Sequence, residues 1–337
     1  MPSLSPYFDL NDEARRLGGK LPLTWVKADA ASRTGNFGDT LSAVVVAAIS
    51  GLVPRLTSAQ AETPRLAAIG TIGQTLRRGT AHIWGTGFDA KLRAFGDTGT
   101  AFAAAPETRY VVHAVRGAHS RQLLLENGLH APPIYGDPGW FLPRIRHPRV
   151  EKTIELGVIP HLSAMREKSV HTVPKPEQTR LQVSAADGVK IVHTFHDSSW
   201  TGFQAKLAEL LSCKRIVTTS FHGLILADVF RIPCLYFPLR NTPGHEEIPL
   251  ERGRAGLDSR MADFYAGAGR RSLHAYGQPP KSTTDWQAVM RAVDAHYQPL
   301  THPGEATLLE AFPFQKVVSL DDADWKVPDA LMEQLPW

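Results

Sequence analysis

The sequence predicts an α/β fold of two Rossmann-like domains facing a cleft. Three observations carry that expectation. Short β-like runs alternate with helical patterns along the chain, which argues for parallel sheets covered by helices on both faces. The alternation restarts after a stretch rich in proline and arginine, giving two halves of similar size. At 337 residues the chain also exceeds the usual size of one core. The expected domains are 1–145 and 146–300, and 301–337 is a tail that either packs back on the body or stays loose.

Each element follows from its local pattern. Leu23-Thr24-Trp25-Val26-Lys27 reads as the first strand and Asp39 to Ser50 as a helix. Leu66 to Gly70, His82-Ile83-Trp84 and Tyr110 to Val115 read as further strands. His119 to Asn127 is a helix with Gly128 as its stop. Ile134 to Pro138 reads as a short strand ending in a turn. Phe141 to Val150, with two prolines and three arginines, reads as an interdomain linker. In the second half Leu156 to Pro160 and Lys190 to Phe195 are strands. Thr201 to Ser212 is a helix with Phe203, Leu207, Leu210 and Leu211 on one face, preceded by the capping residues Asp197-Ser198-Ser199. Arg215 to Thr218, a helix around His222, and Leu235-Tyr236-Phe237 form a strand-helix-strand unit. Beyond Asn241 the pattern weakens.

Composition narrows the function classes. The net charge is +4, from 37 basic and 33 acidic side chains, with no dense basic cluster interleaved with aromatics, so nucleic acid is a poor fit. An anionic small substrate and an anionic membrane surface fit the small excess equally well. Cys213 and Cys234 lie in apolar segments and lack zinc-ligand spacing, so they read as buried reduced thiols. Asp9, Asp12 and Glu13 stand where a signal peptide needs an apolar core. The apolar stretch from Leu41 to Val53, broken at Ser50 and Gly51, is too short to cross a bilayer. These features describe a cytoplasmic protein.

The chemistry concentrates at predicted strand ends. Thr219-Ser220-Phe221-His222-Gly223 joins a strand to a helix, at the sheet edge where open α/β folds bind ligands. His222 can act there as acid or base, and equally can cap the helix or bond within the core. Gly35-Asn36-Phe37-Gly38-Asp39 is a turn in which Asn36 or Asp39 can cap exposed amides. Gly70-Thr71-Ile72-Gly73 and Trp84-Gly85-Thr86-Gly87 are glycine turns without the dinucleotide-binding spacing. Arg116, at a strand end before a helix, suits a carboxylate or phosphate, or pairs with a structural acid such as Asp137. His161, His193 and His196 add imidazoles at strand ends.

In order, these motifs resemble the polysaccharide pyruvyl transferase family. The matching elements are Asn36-Phe37-Gly38-Asp39-x-Leu41, Gly70-Thr71-Ile72, Gly85-Thr86-Gly87, Val115-Arg116-Gly117, Gly136-Asp137-Pro138, Gly157 to His161 and Ser220-Phe221-His222-Gly223. Asp263-Phe264-Tyr265 is similar to an aromatic motif of exopolysaccharide members of the succinoglycan type. Two positions depart from the pattern. Phe221 stands where the family usually has Leu, and Arg240 stands where many members carry a lysine.

The resemblance implies a GT-B-like pair of domains and transfer of a pyruvyl group from phosphoenolpyruvate to two hydroxyls of a sugar. The product is a cyclic ketal on an exopolysaccharide or its lipid-linked precursor, with release of phosphate. Phosphoenolpyruvate is the donor substrate, and neither a metal nor another cofactor is implied. His222 is expected to be catalytic. Arg116, Ser220, Gly223 and Arg240 are expected to bind the donor, with the Gly223 amide assisting the two cations. Asn36, Asp39 and His161 are expected to serve the acceptor. A lipid-linked acceptor implies peripheral association with the inner face of the cytoplasmic membrane, where Arg144, Arg146 and Arg149 could meet anionic headgroups. The main alternative is a nucleotide-sugar glycosyltransferase, with Asp228 or Glu246-Glu247 near a ribose. A non-catalytic polysaccharide-assembly protein is the second.

Overall fold

A computed structural model describes residues 6–28, 31–90, 102–301 and 304–337. In the first half α1 (Pro6–Arg16) precedes β1 (Leu21–Thr24), and β2 (Thr34–Asn36) runs into α2 (Phe37–Ser50). Then come β3 (Pro54–Leu56), β4 (Arg65–Ala67), β5 (Thr80–Trp84), β6 (Arg109–Ala114), α3 (Ala118–Glu126) and the short α4 (Leu142–Ile145). A five-stranded sheet results, in the order β3-β1-β4-β5-β6, with every pairing parallel. The α/β expectation holds here, although most strands are shorter than their apolar runs and β1 begins two residues early.

The second half holds β7 (Leu156–Ile159), β8 (Val189–Ile191), β9 (Phe195–Asp197), α5 (Trp200–Leu211), β10 (Ile216–Thr218), α6 (Phe221–Val229) and β11 (Cys234–Tyr236). It continues with β12 (Gly244–Pro249), α7 (Ser259–Gly267), β13 (Ser272–Gly277) and α8 (Trp286–His296), followed by α9 (Glu305–Glu310) and α10 (Asp329–Glu333). Its six-stranded sheet runs β12-β13-β11-β10-β7-β8, parallel except for the edge strand β12, which is antiparallel to β13. α5 starts where expected: Ser199 Oγ accepts from the Gly202 amide, and Phe203, Leu207, Leu210 and Leu211 are buried. Cys213 and Cys234 are buried and free.

Three sequence expectations need correcting. Lys190 to Phe195 is not one strand, because its ends belong to different sheets: β8 pairs with β7, and β9 pairs with β2. Ile134 to Pro138 forms only an isolated bridge between Tyr135 and Val115. Phe141 to Val150 begins not as a linker but as core, with Phe141, Leu142 and Ile145 buried. Two of its three arginines are engaged as well. Arg144 donates Nε to Glu305 at 2.8 Å and Nη1 to the Asp322 carbonyl, and Arg146 lies 3.8 Å from Asp329. Of the three, only Arg149 is exposed.

The tail packs back. Leu308, Leu309, Phe312, Trp325, Met332 and Leu335 are buried in the same core cluster as the central residues of α2 and α6. The Trp84 indole N–H donates to the Leu308 carbonyl at 2.7 Å, anchoring the tail to the first sheet. Among the described residues no helix is long and apolar enough to cross a membrane.

Candidate active site

The two halves are stitched together by β2 and β9. Thr34 to Asn36 pairs antiparallel with Phe195 to Asp197, and the Phe37 amide donates to the Thr194 carbonyl at 2.8 Å. Phe37 then stacks on Phe203 with ring centroids 4.1 Å apart. This fixes the start of α2 against the second half, where α6 begins. His196 belongs to the stitch: its ring nitrogens meet Thr40 Oγ1 at 2.9 Å and the Asp197 carbonyl at 2.7 Å. It is a structural histidine.

His222 lies in the first turn of α6, which Ser220 caps by accepting from the Gly223 amide at 3.4 Å. Its imidazole presses on Gly38 so closely that a Cβ there would lie 2.0 Å from Nδ1. Gly38 therefore lets a side chain of one half touch the backbone of the other. His222 Nε2 is buried without a hydrogen-bond partner among the described residues. A buried polar atom left unpaired is costly, so a partner supplied by substrate is a natural reading. Burial, reinforced by the charges of Arg260 and Arg116, pushes this imidazole down to about 3, against a smaller opposing effect of Asp258. The ring is neutral at physiological pH.

Asp39 sits one residue beyond the Gly38 contact. Asn36 Nδ2 donates to its Oδ2 at 2.8 Å, so Asn36 positions Asp39, and no side chain caps α2. Burial pushes the Asp39 carboxyl up to about 6, although the Asn36 bond and the charges of Arg260 and Lys168 pull it the other way. His161 opens a 3-10 turn and holds Ser163, with Nδ1 2.8 Å from the hydroxyl. Burial lowers its pKa, helped by Arg260 and opposed by Asp258. Arg260 thus acts electrostatically on His222, Asp39 and His161 together.

Sequence reasoning missed Arg260. It lies in the first turn of α7, and its Nη2 is 2.6 Å from Oδ2 of the cap Asp258. Burial alone would lower this guanidinium, but the Asp258 bond and the charges of Asp258 and Asp39 raise it. The signal was present in Asp258-Ser259-Arg260, an acidic cap opening an apolar periodic run, just before Asp263-Phe264-Tyr265.

The expected donor residues fare unequally. Arg116 is 2% exposed and already matched. Its Nε and Nη2 lie 3.0 and 2.9 Å from Asp263 Oδ2, and its Nη1 lies 2.5 Å from Thr71 Oγ1. Its structural partner is Asp263, not Asp137. Asp263 also receives the Ser120 amide and hydroxyl, at 2.9 and 2.6 Å, so it ties α7 to α3. The Gly223 amide is occupied by Ser220, and a Cβ at Gly223 would lie 2.5 Å from Thr218 Oγ1, so packing of α6 accounts for this glycine. Arg240 pairs with Glu246 at 2.5 Å and donates to the Gly256 carbonyl at 3.2 Å. Phe221 lies beneath two guanidiniums, with Arg116 5.1 Å and Arg260 6.0 Å from its ring centroid. An aromatic face suits that position better than an aliphatic chain would.

These helix starts gather on both sides of the β2–β9 stitch. Residues 81–241 match the polysaccharide pyruvyl transferase family. The resemblance read from the motifs is borne out over that segment, which is a little under half of the chain. It contains Arg116, His161, Ser220, His222, Gly223 and Arg240; Asn36 and Asp39 precede it, and Asp258, Arg260 and Asp263 follow it. The match points to a transferase of pyruvyl groups in polysaccharide biosynthesis. No curated protein and no solved structure matches the chain. The carboxylates a ribose site would recruit are engaged elsewhere: Asp228 accepts from the Tyr265 hydroxyl in the core, Glu246 holds Arg240, and Glu247 accepts from the Ser272 hydroxyl.

Proposed function

We propose that the protein transfers a pyruvyl group from phosphoenolpyruvate to two hydroxyls of a sugar in an exopolysaccharide or its lipid-linked precursor. The observation that carries this reading is the His222 ring, set with its Nδ1 edge against Gly38 and its Nε2 without a hydrogen-bond partner among the described residues, beside Asp39 and under the shared field of Arg260. Arg260 and Lys168, whose charges act on Asp39, supply cations for the donor's phosphate and carboxylate, and the N-termini of α2 and α6 add their dipoles. Arg116 is a positioning residue: through Asp263 it fixes α7, and hence Arg260.

Asp39 and His222 divide the proton transfers. The carboxyl with its raised pKa gives a proton to carbon 3 of the enol as positive charge develops at carbon 2. A sugar hydroxyl adds to carbon 2, losing its proton to the neutral His222 Nε2. Phosphate then leaves with the C–O bonding electrons, and the second hydroxyl closes the ketal and releases its own proton. One proton enters the new methyl group and two leave the sugar; the surplus goes to phosphate and solvent. Asn36 holds Asp39 in place, and His161 borders the acceptor. A lipid-linked acceptor would bring the protein to the inner face of the cytoplasmic membrane.

The test follows phosphate release from phosphoenolpyruvate across a panel of oligosaccharide acceptors, with the ketal methyl observed by NMR. Turnover is expected for the native protein, and His222→Ala should lose it by roughly 10²–10⁴-fold with its fold intact. Near-normal turnover in that variant would overturn the role of His222. Consumption of a nucleotide sugar instead of phosphoenolpyruvate would overturn the reaction.

A further inference from the structure

Three histidines far apart in sequence meet on one face of the second sheet. In the antiparallel pair β12–β13, Glu247 stands opposite His274. His245, two residues before Glu247, therefore projects from the same face as His274. His296 is the last residue of α8 and reaches the same place. Their ligating nitrogens all lie within 4.8 Å of one another. His245 Nε2 is 3.1 Å from His274 Nδ1, and the rings of His245 and His296 are stacked at 3.5 Å, only 7° from parallel.

This arrangement is poorly served by protons alone. A single imidazole N–H can bridge His245 and His274 but leaves His296, stacked face to face on His245, outside that bond. Charging the rings together would place like charges within a few ångströms. A cation that accepts all three lone pairs removes the conflict. None of the three residues belongs to the candidate active site.

We propose that His245, His274 and His296 bind a zinc ion that clamps the edge strand β12 and the end of α8 to the sheet. Three imidazoles with a fourth position left to water are a familiar zinc set, at Zn–N distances of about 2.0–2.1 Å. Tetrahedral geometry then requires nitrogens roughly 3.4 Å apart, so on binding the rings of His245 and His296 must turn out of their stacked, near-parallel arrangement for the lone pairs to converge. The site ties the antiparallel edge strand β12, whose one strand partner is β13, to the end of α8 through side chains. His245 is exposed and the other two are half-buried, so an ion can enter from solvent. The ligands are separated by 29 and 22 residues, which is why no short motif announces them.

Untagged full-length protein, stripped with chelator, would be titrated with Zn²⁺ by calorimetry and its melting temperature followed. One zinc per chain and a raised melting temperature are expected. His245→Ala and His296→Ala should each abolish the one-to-one binding, while His130→Ala, outside the cluster, should keep it. Far-UV circular dichroism of the zinc-free variants separates loss of a ligand from loss of the fold. Binding below one equivalent in the native protein, or binding unchanged in both cluster variants, would overturn the site.

Discussion

At the scale of single residues, the proposed chemistry rests on two groups whose ionisation is displaced in opposite senses by burial. Asp39 is pushed up to about 6 and His222 down to about 3. Between about pH 3 and 6 the carboxyl holds its proton while the imidazole is neutral, so an acid and a base stand side by side in the forms proton transfer requires. The sign for activity follows directly. If Asp39 delivers the proton to carbon 3, kcat/KM should be full below its pKa and fall as pH rises through about 6. No rising limb should appear near the ordinary histidine value, because His222 is already neutral there. Asp39→Asn should flatten the profile at a low rate. A pH–rate profile that keeps the same limb in that variant would assign the acid elsewhere.

At the scale of elements, the site is made by where helices begin. α2 and α6 come from different halves, and the contact between them is Gly38 against the His222 ring. In Gly38→Ala the new Cβ would fall 2.0 Å from Nδ1, so the imidazole or the start of α2 must move. A 1 Å misplacement of a catalytic group can cost about 10²-fold. Gly38→Ala should therefore lose turnover on that order while still binding phosphoenolpyruvate, which activity and thermal-shift assays on one sample distinguish. Unchanged turnover would mean the contact has no catalytic role.

Elements are also where the limits of the sequence show most clearly. The strand-helix unit around His222 could be read because an apolar run, a Ser cap and an apolar helix follow one another without a break. α5 was equally open, through its four-residue apolar face and its Ser199 cap. Lys190 to Phe195 misled because one apolar run serves two sheets, and only long-range pairing tells them apart. Phe141 to Val150 misled because prolines and arginines resemble a linker even when Phe141 and Leu142 are fully buried. Arg116 reads as an anion ligand or as the partner of a structural acid because its strand-end position is legible, whereas its pairing with Asp263, 147 residues away, is not. The histidine trio was invisible for the same reason.

At the scale of the whole molecule, a buried ion pair and a returning tail hold the parts in register. Arg116 and Asp263 are almost wholly buried, and the pair joins β6 and α3 to α7, which carries Arg260. Removing one partner of a buried pair leaves an uncompensated charge and typically costs about 3–5 kcal/mol. Arg116→Ala should accordingly lower the melting temperature sharply even without ligand, as calorimetry would record. A variant with native stability that fails only in donor binding would return Arg116 to direct contact with the donor. The tail acts in the same direction, since Trp84 of the first sheet bonds to the Leu308 carbonyl and Trp325 stacks on Phe141.

The central claim is that phosphoenolpyruvate is the donor and is held beside His222 by Arg260. The most direct test is the melting temperature of the native protein and of Arg260→Ala, each with phosphoenolpyruvate and with a panel of nucleotide sugars. Phosphoenolpyruvate at a hundredfold excess over its Kd should stabilise the native fold by about 2.7 kcal/mol, and that gain should vanish in Arg260→Ala. Stabilisation by a nucleotide sugar, with none from phosphoenolpyruvate, would contradict the account.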